Sequence, residues 1–352
     1  LDPPGTDRRA GVDRLRRHTL ARRRTIARPG PSARVRRRAP DRPTRLRRRG
    51  WQDALRRTGK EILEDDLTDR AAALTYYGVL AIFPTLLLLV SIIGLVGRTA
   101  TEQMLDNLRT WTPGPARDIL RGGVEGLQRS HGTSGVLAVL GLAGALWSAS
   151  GYIAAFIRAA NAVYDIREGR PVWKLTPLRL GLTVVLMLLL AGSAVIVVFT
   201  GPLARRAGEA LGIGDVGVQI WSIAKWPVLL VLVTLMIALL YWAAPNVRGR
   251  GFRWVSPGSV LAVALWLGLS AGFAAFVANF SSYNRTYGTL AGVIVFLVWL
   301  WLTNLAILLG LEFDAELSRA RAVQGGLPRR HEPYVQPRST ETWDDAESGG
   351  GP

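Results

Sequence analysis

The chain has 352 residues, 49% of them hydrophobic, and sets 44 Lys and Arg against 26 Asp and Glu for a net charge of +18. The basic residues crowd into tails and short loops and leave long uncharged blocks, which excludes a soluble helical protein, whose apolar stripe is interrupted at every turn. Cysteine is absent, which excludes disulfides, thiol nucleophiles and cysteine-ligated metals.

Residues 1–50 hold 18 Arg against Asp2, Asp7, Asp13 and Asp41, so much of the net charge sits in one tail. Rich in Arg, Pro and Gly and without apolar periodicity, this stretch is expected to be a disordered basic tail. The first Met is Met104. The tail is therefore either sequence upstream of a mis-assigned start or a polybasic segment that binds anionic phospholipid. No secretory signal peptide is expected, because the first apolar run opens only near Ala71.

Residues 51–66 predict an amphipathic helix on the membrane surface, with Trp51, Leu55, Ile62 and Leu63 sharing a face. Asp65, Asp66 and Asp69 are placed to cap the first span, residues 71–97. Pro84 lies inside that span, where a missing N–H predicts a kink. Residues 98–132 form the longest hydrophilic connection, with helical spacing over 101–111 and 115–128 broken by Pro113-Gly114-Pro115. The second span, 133–157, is rich in small residues four apart, such as Gly144 and Ser148, which allow close helix approach in lipid.

A basic loop, 158–177, leads to the third span at 180–204, and Arg205 and Arg206 separate it from the fourth at about 221–244. Lys225, within a turn of that span's start, can extend to the interface. The loop 245–254 carries Arg248, Arg250 and Arg253. The fifth span, about 257–280, contains a Gly268-x-x-x-Gly272 spacing, and the sixth covers about 290–311. Residues 255–284 and 286–311 contain no Asp, Glu, Lys or Arg, and each exceeds the roughly 20 apolar residues that cross a bilayer as a helix.

The expected fold class is therefore all-α: a polytopic membrane protein of six transmembrane helices plus surface amphipathic helices, with its membrane domain at 51–322. Residues 323–352, mixing Gly, Pro, Ser and acids, are expected to form a disordered C-terminal tail. An even span number places both termini on one side, with the loops 158–177 and 245–254. Arg56, Arg57, Lys60 and Arg70 make that side cytoplasmic by the positive-inside rule.

This order of segments resembles the YihY/BrkB family of bacterial inner-membrane proteins, once labelled ribonuclease BN. The resemblance covers residues 51–321. It rests on Asp66-Leu67-Thr68 leading into Ala73-Leu74-Thr75-Tyr76-Tyr77 and Pro84, on Asn161-Ala162-Val163-Tyr164 with Arg170-Pro171, and on Tyr241 with Pro245. It rests further on Tyr283-Asn284-Arg285-Thr286-Tyr287-Gly288-Thr289-Leu290-Ala291, followed by Trp299 and Gly310-Leu311-Glu312. The family implies a six-helix inner-membrane protein linked to envelope integrity, lipid handling or transport, and supplies no catalytic residues to carry over.

A nuclease sets a metal or an acid–base group against a phosphate. Here His18 and His331 fall in the expected tails, His131 in a loop, and no His and Asp share a ligand spacing, so no catalytic residue, metal site or cofactor is expected. The basic tail implies nonspecific charge and no specific nucleic-acid partner.

The remaining candidates are polar groups at span ends. Tyr283, Asn284, Tyr287 and Gly288 form either a substrate gate or an interfacial hairpin. Asn304, deep in the sixth span, contacts either a headgroup or ion in a cavity or a neighbouring helix through a hydrogen bond. Glu312, with Asp314 and Glu316, is either a proton-coupled gate or part of a structural ion-pair belt. Negative charge at that helix end implies either a helix continuing to about Arg321 or partners among Arg70, Arg158, Arg167 and Arg170. Three readings follow: a transporter or lipid translocase, a non-transporting membrane scaffold, and, less well supplied with chemistry, an intramembrane enzyme. Substrate and oligomeric state are not legible.

Overall fold

The computed structural model describes residues 30–64, 66–96, 134–198, 204–205, 208, 214–248, 256–279 and 289–343. Their principal elements are α1 (Ala33–Arg38), α2 (Arg48–Glu64), α3 (Leu67–Val96), α4 (Ser134–Val163), α5 (Val172–Val198), α6 (Gly214–Ala243), α7 (Ser256–Asn279) and α8 (Thr289–Gln324). Two-residue strands, β1 (Val247–Arg248) and β2 (Gln336–Pro337), pair antiparallel with Val247 opposite Pro337. Among the described residues four helices are long and apolar enough to cross a membrane: Val172–Val197, Val216–Ala243, Pro257–Val277 and Gly292–Gln324.

Helix α8 is the hub, packing against α7, α2, α3 and α4, while α3 packs on α4 and α6 on α5 and α7. Burial concentrates at one end of the helices. Leu67, Ala71 and Leu74 open α3, Phe156, Ala160 and Val163 close α4, and Ala238, Tyr241 and Ala243 close α6. Ala262 near the start of α7 and Leu308, Leu311 and Ala315 in α8 complete this core. The Phe156 and Tyr241 rings stack within it with centroids 6.3 Å apart. Away from it, large apolar side chains such as Ile220, Ile223, Val293 and Phe296 are exposed, which suits lipid and not water.

Among the described residues, α7 and α8 cross closely at Gly258 and Gly310, glycines that apolar spacing did not single out as a packing pair. A Cβ on Gly310 would stand 2.5 Å from the Gly258 carbonyl oxygen, 2.6 Å from the Ala262 Cβ and 2.7 Å from the Tyr241 hydroxyl. A Cβ on Gly268, Gly272 or Gly144, the expected small-residue faces, meets nothing within 4 Å among the described residues. A small-residue spacing permits close approach without choosing which helix approaches.

Both tails differ from expectation over the described residues. Residues 30–50 carry α1 and buried Pro43 and Leu46, and 323–343 carry buried Leu327, Tyr334 and Val335. Composition predicted disorder because neither segment has a core of its own; each borrows one, with Leu46 joining Ala54, Phe313 and Leu317. A Cβ on Gly325 would meet the Val35 carbonyl oxygen at 2.5 Å, so the tails also pack on each other. Helix α2 likewise lies against protein: Trp51 packs on Phe313 at 5.9 Å and Ala54 is buried, while Leu55, assigned to the apolar face, is 60% exposed.

Helices overrun their apolar spans where the bundle end buries polar residues, α8 by thirteen residues beyond Leu311. Its stop uses Gly326 at φ 105, with Leu327 N–H donating to the Ala322 carbonyl and Gly326 N–H to that of Val323. Asp165 ends α4 the same way at φ 50, and Asp66, also at φ 50, turns the chain between α2 and α3. Residues 98–132, expected to hold two surface helices, lie outside the described residues.

Candidate functional site

Three polar networks occupy the bundle. The first links α3, α4 and α8. The Tyr152 hydroxyl donates to Asn304 Oδ1 at 2.9 Å, Asn304 Nδ2 donates to Thr75 Oγ1 at 3.1 Å, and Thr75 donates to the Ala71 carbonyl at 2.8 Å. Asn304 is 1% exposed, so its amide is satisfied inside an apolar helix by neighbours on two others. The hydrogen bond between helices, one of its two expected roles, is present. Trp299 and Trp301 make similar ties, donating to Ser270 Oγ and to the Thr68 carbonyl, each at 3.1 Å.

The second network lies about 12 Å further along α8 at 1.5 Å per residue. Glu312, Asp314 and Glu316 are 2%, 0% and 3% exposed. Asp314 Oδ1 accepts from Gly258 N–H at 2.8 Å, in the first turn of α7, where a carboxylate satisfies a free donor and opposes the helix dipole. Glu316 faces Arg319 at 3.4 Å and Arg57 at 3.9 Å. Arg319 also pairs with Glu332, and its guanidinium lies 4.8 Å from the Tyr334 ring centroid. Burial, then the negative fields of Glu312 and Glu316, hold the Tyr334 hydroxyl well above the usual tyrosine range against the opposing charge of Arg319. Helix α8 continues past Arg321, as one of the two expectations for this acidic run had it, and the pairs shown for Glu316 come from α2 and from one turn along α8.

The third network ties the loop after α4 to the end of α6 and to the C-terminal segment. Arg170, 6% exposed, donates from Nε and Nη2 to the two carboxylate oxygens of Glu168, each at 2.7 Å. Its Nη2 also donates to the Ala244 carbonyl at 2.7 Å, so the guanidinium satisfies the carbonyl end of α6. Asn161 Nδ2 donates to Glu168 at 2.8 Å, and its Oδ1 accepts from Asn246 N–H at 2.7 Å. Asn246 in turn donates to Ser339 O at 2.8 Å and accepts from Ser339 N–H at 3.0 Å. Burial pushes the Glu168 carboxyl up, but the hydrogen bonds and charge of Arg170, helped by Asn161, outweigh it and hold the group below the usual carboxylate range.

Of the predicted site residues, the structure places Asn304 and Glu312 on one helix, in separate networks. Tyr283, Asn284, Tyr287 and Gly288 lie outside the described residues. Helix α3 runs through Pro84, whose side chain also lies outside them. The residues missed as partners are Glu168 and Asn246. The available signal was the pairing of a helix-end Asn with a nearby Glu and Arg in a loop.

The family model described as virulence factor BrkB matches residues 58–333. The chain belongs to the BrkB family. Among relatives, this BrkB-family chain is 29% identical over 254 residues to YfkH of Bacillus subtilis (strain 168), named a ribonuclease-like protein, covering 72% of this chain and 90% of that one. It is 30% identical over 266 residues to a UPF0761 membrane protein of Alkalilimnicola ehrlichii, covering 72% and 56%. For a UPF0761 membrane protein of Halorhodospira halophila the values are 27% over 279 residues, covering 76% and 57%. The BrkB-family chain thus spans somewhat over half the length of these two longer relatives. No solved structure matches it.

Proposed function

We propose that this BrkB-family membrane protein is a transporter or lipid translocase of the bacterial cytoplasmic membrane that serves envelope maintenance. Six spans with both termini cytoplasmic are part of the same reading. The supporting observation is the line of polar groups inside apolar helices, buried Thr75 and Asn304 with half-buried Tyr152, beside the buried Glu312, Asp314 and Glu316. Polar and ionisable groups are costly at membrane depth, which makes such a line a functional candidate. The orientation rests on Arg56, Arg57, Lys60, Arg70, Arg158 and Arg167, which belong to one end of the helices. Tyr283, Asn284, Tyr287 and Gly288, between α7 and α8, are the candidate gate, and membrane lipids are the candidate partners.

A non-transporting scaffold is the second reading. It is favoured by the Asn304 amide, whose oxygen and nitrogen are both engaged by neighbouring helices. We read the chain as a non-enzyme, the ribonuclease-like name of one relative notwithstanding, because its sequence offers no nucleophile or acid–base set built for a phosphate. The test reconstitutes the full chain in liposomes and follows transbilayer movement of labelled phospholipid, beside Glu312→Gln and Tyr287→Phe variants. Movement above that of empty vesicles, lost in correctly folded variants, supports translocation. Wild-type movement no faster than empty vesicles removes it and leaves other solutes or the scaffold.

A further inference from the structure

A cleft of about 320 Å³ lies between the start of α2 and the end of α8, and five arginines line it: Arg47, Arg49, Arg57, Arg319 and Arg329. Its acids are Glu316 and Asp53. Glu316, with a side chain 4% exposed, holds Arg57 and Arg319, whose own side chains are 39% and 11% exposed. Asp53 lies 3.5 Å from Arg329, which is 70% exposed. No ion pair engages Arg47 or Arg49 among the described residues, and both side chains are exposed. The cleft thus holds five guanidinium groups against two lining carboxylates, with Glu332 behind Arg319 as a third, in a space of ligand-binding size.

The backbone fixes this arrangement independently of the charges. Arg47 N–H donates to Gln324 Oε1 at 3.1 Å and Gln324 Nε2 to the Arg45 carbonyl at 3.3 Å, which pins the first turn of α2 to the last turns of α8. Ala54, which lines the cleft, is also part of the buried apolar cluster with Leu46, Phe313 and Leu317. Guanidinium groups that line one cleft repel one another, and an anion between them lowers that cost. A planar fork matches the tetrahedral oxygens of a phosphate two bonds at a time.

We propose that this cleft is a binding site for a phosphate-bearing anion, from either the headgroup of an acidic lipid or a soluble phosphate compound. Arg47 and Arg49 supply the open forks, and Arg57 and Arg319, oriented by Glu316, supply the fixed positive wall. The site does not depend on lipid crossing the bilayer, and its occupancy is measurable without any transport.

The test places the full chain in nanodiscs of phosphatidylcholine alone and titrates inorganic pyrophosphate and, separately, dioctanoyl phosphatidic acid by calorimetry. The paired variant Arg47→Gln with Arg49→Gln is compared with Arg38→Gln with Arg42→Gln, which removes the same charge outside the cleft. Saturable binding of at least one probe is expected, weakened about tenfold or more by the cleft pair, since each charged hydrogen bond lost is worth about that much, and less than about twofold by the control pair. Binding of phosphatidic acid alone identifies a lipid source, and binding of pyrophosphate identifies a soluble one. Equal weakening by both variant pairs, or no binding of either probe, overturns the proposal.

Discussion

Replacing Arg170 by Met tests whether the third network holds the bundle end together. The substitution keeps the aliphatic stem and removes both bonds to Glu168 and the bond to the Ala244 carbonyl. Breaking a buried ion pair by deleting one partner costs about 3–5 kcal/mol, because the other charge is left without compensation. The Glu168 side chain is 26% exposed, so water reaches part of the abandoned carboxylate and the expected loss is nearer about 2–4 kcal/mol. For a chain of 352 residues that loss is about 3–5 °C in Tm, and thermal unfolding of the full chain in detergent micelles, followed by the fluorescence of its 12 Trp, measures it. The double variant Glu168→Gln with Arg170→Met should lose less than the two single variants together, by about 0.5–3 kcal/mol. Because the folded-state Glu168 carboxyl titrates below its ordinary value of 4.5, its contribution is complete above about pH 4.5 and is lost as the pH falls through the lower folded value. Acidification should therefore destabilise wild type in that window more than Glu168→Gln. Strictly additive losses, or an Arg170→Met variant within about 1 °C of wild type, would refute the reasoning.

Gly310→Ala puts a methyl group 2.5 Å from the Gly258 carbonyl oxygen, where ordinary contact is 3.4–4 Å. Helices α7 and α8 must part by roughly an ångström, at about 1–3 kcal/mol, read as lower Tm, whereas Gly272→Ala, whose methyl meets no described residue within 4 Å, should be neutral. Asn304→Ala deletes both bonds to Tyr152 and Thr75 and should cost about 0.5–2 kcal/mol. Under the scaffold reading its effect stops at that loss of Tm; under the transport reading, lipid movement falls further than the stability change accounts for.

The sequence by itself determined the class of this protein. Charge-free runs at 255–284 and 286–311 commit α7 and α8 to a membrane, because lipid offers no partner to a charge or to an unpaired backbone group. The ordered motifs were enough to recognise the family. They also singled out Asn304 and the acidic run at Glu312, since a polar residue in an apolar helix is visible from composition alone.

What tertiary structure decided is which partner each of these residues meets. Asn304 finds Tyr152 and Thr75, Asp314 finds the first turn of α7, and Gly310 instead of Gly268 makes the close crossing. None of these pairings is written in local spacing, because each joins residues dozens to hundreds of positions apart. The ordered parts of the two tails show the same limit. Arg47 and Leu46 read as disordered basic chain until α8 is present to receive them. A segment without its own apolar period folds only on a surface supplied from elsewhere in the chain, and that surface exists only once the helices have assembled.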